Sequence, residues 1–253
     1  MSYLQINAVD VSFGGLRALT DCGFAIKEGE ITCMVGPNGA GKTTIFNVIT
    51  GFLKPDRGSV SFKDRALTGM TPQQIVAVGI ARSFQNLRLF VDLTALDNVL
   101  VGIRHQFGES VFGGLFRPIH TASSQVAVRA RAMEILDHVG LADKAEIFVR
   151  NLSHGEQKLL TVARLLATEA ELLLLDEPAS GLSARALEGV MDLLRRLQKD
   201  GKTLLVVEHN TRVVQKIADT VLFLHQGHLI AQGTASQITS DPDLAEIYFG
   251  GVI

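Results

Sequence analysis

Nine residues, "GPNGAGKTT" from Gly36 to Thr44, constrain this chain more than any others. They fit the spacing G-x-x-x-x-G-K-[ST] through Gly36, Gly41, Lys42 and Thr43. The apolar run "ITCMV" precedes them and "IFNVITGFL" follows. The first run reads as a short buried strand, the second as a helix ending near Lys54-Pro55. A glycine-rich loop between a strand and a helix is a phosphate cradle. Its glycines let backbone N–H groups curl around phosphate oxygens, and the helix N-terminus adds its dipole. Lys42 brings positive charge to β- and γ-phosphates, and Thr43 offers a hydroxyl to Mg²⁺. Pro37, Asn38, Gly39, Ala40 and Thr44 complete the cradle.

The rest of the chain alternates around this unit. "YLQINAVDVSF", "CGFAI" and "GSVSFK" read as strands, and Thr71-Pro72 opens a helix that stops near Gly79. "IARSF" is a strand ending at Gln85. From Leu87 to Leu152 the texture becomes helical, with "LTALDNVLVGI" and "QVAVRARAMEILDHV" joined by a segment bearing Phe107, Phe112 and Phe116. That segment is either a packed loop or a partner-facing surface. Strand and helix alternation then returns, through "LLLLDEP", "ARALEGVMDLLRRLQKD", "KTLLVVEH", "TRVVQKIA", "TVLFLHQ", "HLIAQG" and a last helix near "PDLAEIYF".

Two further stretches carry chemistry. The run Leu172–Leu175 delivers Asp176 and Glu177 to a strand tip. Beside a phosphate loop, Asp176 suits Mg²⁺, directly or through water, and Glu177 suits the orientation or deprotonation of an attacking water. "NLSHGEQ" holds Ser153-x-x-Glu156, a capping box that starts the helix "LLTVARLLA". A capped helix start beside a glycine is also an anion site.

In this order "GPNGAGKTT", "NLSHGEQ", "LLLLDEP" and "VVEHN" resemble the ATP-binding cassette ATPases, nearly end to end. The resemblance implies one α/β nucleotide-binding domain over residues 1–253. It has a P-loop NTPase core with a mixed sheet and an antiparallel β subdomain (1–86 and 153–253), and an inserted helical subdomain (87–152). It implies ATP and Mg²⁺ as ligands. Phe13 resembles the aromatic that stacks on adenine, though a core-facing strand residue is equally compatible. Gln85 resembles the glutamine that touches Mg²⁺ and the attacking water and reports to the membrane partner. His209 resembles the histidine that contacts the γ-phosphate. Ser153 and Gly155 resemble the residues that clamp the γ-phosphate held by another subunit, which implies two cassettes packed head to tail. Two positions depart from the family pattern: His154 stands where a glycine is commoner, and "SGLS", Ser180 to Ser183, lacks the usual terminal Asp. Ser183 can still cap the following helix.

"GGLRAL", "ARSFQNLRLF", the Arg104–Ser124 insertion, "VEHN" and "YFGG" are similar to ATPase subunits of branched-chain amino acid importers. The partners implied are a second cassette subunit, integral membrane permeases and, indirectly, a periplasmic substrate-binding protein. The location implied is peripheral, at the cytoplasmic face of the inner membrane. Urea-type uptake and lipopolysaccharide export are rivals within the class.

Composition excludes other classes. Net charge is −2, so no basic field draws the chain to nucleic acid. Cys22 and Cys33 form no disulfide framework, and a reducing compartment is expected. The N-terminus is unlike a signal peptide, and no apolar run approaches the ~18 residues of a membrane helix. Translation and DNA-repair cassettes usually carry paired cassettes, a long coiled coil or a basic surface, none of which is visible. A scaffold without turnover is disfavoured by Glu177. His225 and His228 lack neighbouring ligands for a metal, and His105 and His120 are isolated.

Overall fold

The computed structural model describes residues 3–83, 87–103 and 118–249. Gln85, His105, Phe107, Phe112 and Phe116 lie outside the described residues. The chain divides into two compact units: Met1–Arg82, Glu171–Ser180 and Glu188–Ile253 form one, Ser83–Ala170 and Gly181–Leu187 the other.

The first unit is α/β and holds two sheets. One is antiparallel, with β1 (Leu4–Phe13), β2 (Leu16–Ile26), β4 (Arg57–Phe62) and β5 (Arg65–Ala66) in the order β2-β1-β4-β5. Strands β1, β2 and β4 keep one face in the core, and the alternation of β1 breaks where Ala8 takes φ 46° and the register shifts between Ile6 and Val9. That break is the mark of a β-bulge. The other sheet is mixed, with order β10-β9-β3-β8-β7-β6. It contains β3 (Ile31–Val35), β6 (Ile80–Arg82), β7 (Leu172–Asp176), β8 (Thr203–Val207), β9 (Thr220–His225) and β10 (His228–Gly233). All its pairs are parallel except β9–β10. Every residue of β3, β7 and β8 is buried. Parallel strands covered on both faces need such continuous apolar runs.

Helix α1 (Lys42–Ile49) buries Ile45, Phe46, Val48 and Ile49 in a core shared with Met34, Leu174 and Leu205 of the mixed sheet and Val11 and Phe62 of the antiparallel one. Truncating a side chain like that of Phe46 costs about 3–5 kcal/mol. The helix stops five residues before the end expected from its apolar run, at Ile49 rather than Lys54. Tertiary packing decides this: Gly51 takes φ 71°, where an added Cβ would stand 2.6 Å from the Met70 carbonyl oxygen. Helix α2 (Pro72–Ala77) begins at a Thr71–Gln74 capping box with Pro at its start, as its sequence requires. Strand β2 begins six residues earlier than expected, because Leu16–Asp21 continue the hairpin with β1.

In the second unit, α3 (Ala95–Gly102), α4 (Pro118–His138) and α5 (His154–Ala167) pack on one another. Leu96, Val99, Ile135, Leu136, Leu160 and Ala163 are buried. Buried Asn98 ties down the segment before α3: its amide donates to the Phe90 carbonyl at 3.0 Å and its oxygen accepts the Phe90 N–H at 2.9 Å. Helix α6 (Ala184–Lys199) runs from this unit into the first. The first unit ends with α7 (Thr211–Ile217), α8 (Ala235–Ser240) and α9 (Pro242–Phe249). Helix α8 was not anticipated from periodicity; a Thr234–Gln237 capping box starts it. Among the described residues, no helix is long and apolar enough to cross a membrane.

Candidate active site

The parallel register brings the chemistry together. Met34 of β3 and Asp176 of β7 both pair with Val207 of β8, so the three strands end side by side. The phosphate loop leaves β3, Glu177 follows β7, and His209 follows β8. Ligands of open α/β sheets bind at such C-terminal strand ends.

The loop is shaped by backbone constraints. Gly36 takes φ 144°, and an added Cβ would stand 2.0 Å from the Leu224 carbonyl oxygen. Gly41 is the N-cap of α1, which has neither a side-chain cap nor an acid in its first turn. Its leading amides therefore remain for an anion. Lys42 Nζ donates to the carbonyls of Gly36 and Pro37 at 2.6 and 2.9 Å, folding over its own loop. Burial lowers its pKa, while Glu177 and Asp176 oppose the shift. Ala40 is buried, Asn38, Gly39 and Thr43 are exposed, and Thr44 is half-buried.

Asp176 is buried, and its Oδ2 lies 3.3 Å from the Arg82 guanidinium. Arg82 also donates to Asn47 Oδ1 at 2.5 Å and stacks 5.2 Å from the centre of the Phe46 ring. Burial raises the Asp176 pKa, Arg82 opposes that most, and the neighbouring Glu177 adds to it. Glu177 is half-buried at φ 50°, and its Oε1 lies 3.8 Å from His209 Nδ1. The two form an ion pair whenever the ring is protonated. Phe13 is 51% exposed at the end of β1, so its ring is not core-facing.

The second unit carries Ser153 and Gly155. The capping box is formed: Ser153 Oγ accepts the Glu156 N–H at 3.4 Å, and Glu156 Oε2 accepts the Ser153 N–H at 2.8 Å. Burial raises the Glu156 pKa, but the bonds from Lys144 and the Ser153 amide outweigh it and hold the carboxyl below its ordinary range. A Cβ at Gly155 would meet Ala186 Cβ at 3.0 Å, so the backbone there runs close to α6. Both departures from the family pattern lie in this unit. The ring of His154 borders Gly181, and Ser183 Oγ accepts the Ala186 N–H at 3.5 Å as a cap.

Two residues of the tips were missed in the sequence. Arg82 anchors Asp176, and Glu208 is a fully buried acid beside His209. Each is a charge inside an apolar run, "IARSF" and "TLLVVEH", and that was the available signal. Among the described residues, no cluster of three or more His, Cys, Asp or Glu side chains is placed to hold a metal.

The residues fit a magnesium–nucleotide complex. The uncapped α1 N-terminus and the Gly36 turn suit phosphate, and Asp176 with the Thr43 hydroxyl supplies the hard oxygen donors Mg²⁺ takes.

The chain is similar to known proteins along nearly its whole length. A family model described as ABC transporter matches residues 19–180. The high-affinity branched-chain amino acid transport ATP-binding protein LivG of Salmonella typhimurium is 37% identical over 248 residues, covering 98% of this chain and 97% of LivG. A nucleotide-free ATP-binding cassette from an ABC transporter superposes with a TM-score of 0.86 at 31% identity, covering 98% of this chain and 99% of the other. A cassette solved as a dimer in a post-hydrolysis state bound to ADP and Pi superposes with a TM-score of 0.76 at 27% identity, covering 92% of this chain and 98% of that one.

Proposed function

Because this chain belongs to the ABC transporter family of ATP-hydrolysing cassettes, we propose that it is the subunit that energises uptake of branched-chain amino acids through membrane permeases. The observation that carries the ATPase reading is the alignment of the β3, β7 and β8 tips, with phosphate loop, acids and histidine side by side. The near full-length similarity to LivG supports the transported class.

In this reading Phe13 stacks on adenine. The N–H groups of Asn38, Gly39 and Gly41, the Lys42 side chain and the α1 N-terminus hold the phosphates, with Thr43 and Thr44 beside them. Thr43, Asp176 and Gln85 would hold Mg²⁺, which would supply positive charge to neutralise the phosphate oxygens. Glu177 orients a water and takes its proton as the water attacks the γ-phosphorus and the bond to ADP breaks. His209 aligns the Glu177 carboxylate and contacts the γ-phosphate. Lys42→Ala should weaken ATP binding by about tenfold or more, the worth of a charge-assisted bond; undiminished affinity would sink the loop's role.

The two compact units are parts of one nucleotide-binding domain in this proposal, with residues 87–152 as the helical subdomain. Ser153 and Gly155 then serve the ATP of a second cassette, packed head to tail. The dimeric solved relative supports that assembly. The chain sits peripherally at the cytoplasmic face of the inner membrane, on permeases fed by a periplasmic binding protein. A net charge of −2 is consistent with no nucleic-acid partner. Ser153→Arg should block hydrolysis yet spare ATP binding by the single chain; surviving turnover would remove the clamp in trans. The transported class is tested by deleting the gene and measuring uptake of labelled leucine, isoleucine and valine beside urea. Loss confined to urea, or to neither, overturns it.

A further inference from the structure

Glu208 lies between β8 and His209, and its side chain is 0% exposed. Its Oε1 accepts the Ala179 N–H at 3.0 Å, and its Oε2 accepts the His209 N–H at 3.3 Å. Its own N–H donates to the Met34 carbonyl at 3.3 Å, at the end of β3. Ala179 stands two residues beyond Glu177. The Glu177 N–H donates to the Val207 carbonyl at 3.0 Å, and the Ser180 N–H closes the turn on the Glu177 carbonyl at 3.3 Å. Glu177 itself sits in the left-handed region, at φ 50°. A non-glycine residue stays there only where its surroundings hold it. One buried carboxylate thus bridges the loop that bears Glu177 and the loop that bears His209.

We propose that Glu208 is a positioning residue, whose carboxylate locks the two tips together so that Glu177 and His209 stay paired over the γ-phosphate. A carboxylate suits the task because it presents two acceptor oxygens to two N–H groups, by charge-assisted bonds. An amide of the same shape offers one oxygen and turns an NH₂ against the second donor. A buried acid is a costly choice for packing alone. Burial raises the Glu208 pKa, and the Ala179 amide opposes the rise.

The inference rests on the reading of Glu177 and His209 given above. Its test compares Glu208→Gln, His209→Ala and the double variant in the full chain, by ATP turnover, ATP affinity, thermal unfolding and the amide resonance of Ala179. Glu208→Gln should lower kcat by about 10- to 100-fold, the scale of a small misplacement of reacting groups. KM and ATP affinity should stay within about twofold. The Ala179 amide proton should move upfield as its charge-assisted bond is lost. With His209 already replaced, the same change should cost less than about twofold, since residues acting as a unit are not additive.

An unchanged kcat for folded Glu208→Gln overturns the proposal, and so does an equal loss in both backgrounds. A variant that fails to fold, or loses ATP affinity in step with kcat, makes Glu208 a structural residue and overturns it too. If His209→Ala is slow while Glu208→Gln runs at full speed, the positioning role alone falls. If His209→Ala alone keeps full turnover, the reading of His209 falls and takes the proposal with it.

Discussion

Helices α1 and α5 both begin where a phosphate is expected, yet they begin differently. The start of α1 has no side-chain cap, and a buried sheet, the Gly36 turn and the Leu224 carbonyl hold its loop. The start of α5 is satisfied by its own residues, through the reciprocal Ser153 and Glu156 bonds. The first site has amides left over for a substrate. The second keeps its cap whole and presents a hydroxyl on an exposed residue. Carboxyl acidity divides the same way. Burial raises Asp176 and Glu208 at the strand tips, whereas Lys144 and the Ser153 amide overcome burial and lower Glu156.

The contrast breaks most visibly at Glu177. Glu177→Gln should lower kcat by about 100- to 10,000-fold, the worth of a general base, with ATP still bound. Phosphate release and nucleotide titration read the two, and a rate within tenfold of the parent would erase the distinction. Next comes the buried support of Asp176. Arg82→Met removes the strongest favourable partner of that buried carboxylate and should destabilise the chain by about 3–5 kcal/mol in urea unfolding. Exposed ion pairs are worth far less, so a change under about 1 kcal/mol would place Arg82 with them.

The α5 start should respond more mildly. Ser153→Ala removes one cap and should cost about 1 kcal/mol of stability, with the ATP affinity of the single chain unchanged. A fall in that affinity would join the two sites that the contrast keeps apart. Smallest is the pH effect at Glu156. Its folded pKa is lowered, so its contribution is present above the unfolded value and is lost as pH falls through the folded one. Glu156→Gln should therefore cost about 0.5–1 kcal/mol at pH 7, and the deficit should shrink as pH drops through the carboxyl range. A deficit that stays constant with pH would remove the charge from the explanation.

Sequence reading reached the start of α1 and its loop, the helix start at Thr71-Pro72, the Ser153 capping box, and the acids at the end of β7, because each is decided within a few neighbouring residues. It overran the end of α1, where the apolar pattern continues past Ile49 but Gly51 packs against Met70. It passed over α8, since a helix of six residues shows too little periodicity. It named Asp176, Glu177 and His209 but not the residues that hold them.

The sequence by itself determined a phosphate-loop spacing, a capped helix start and one strand tip bearing two acids, because spacing along the chain dictates backbone turns, caps and burial. Only the tertiary structure decided what stands beside what. Arg82 meets Asp176 across 94 residues of chain, and Glu208 meets Ala179 across 29. Those pairings follow from the parallel register of β6, β7 and β8, which no local pattern encodes and which appears only once the sheet is assembled.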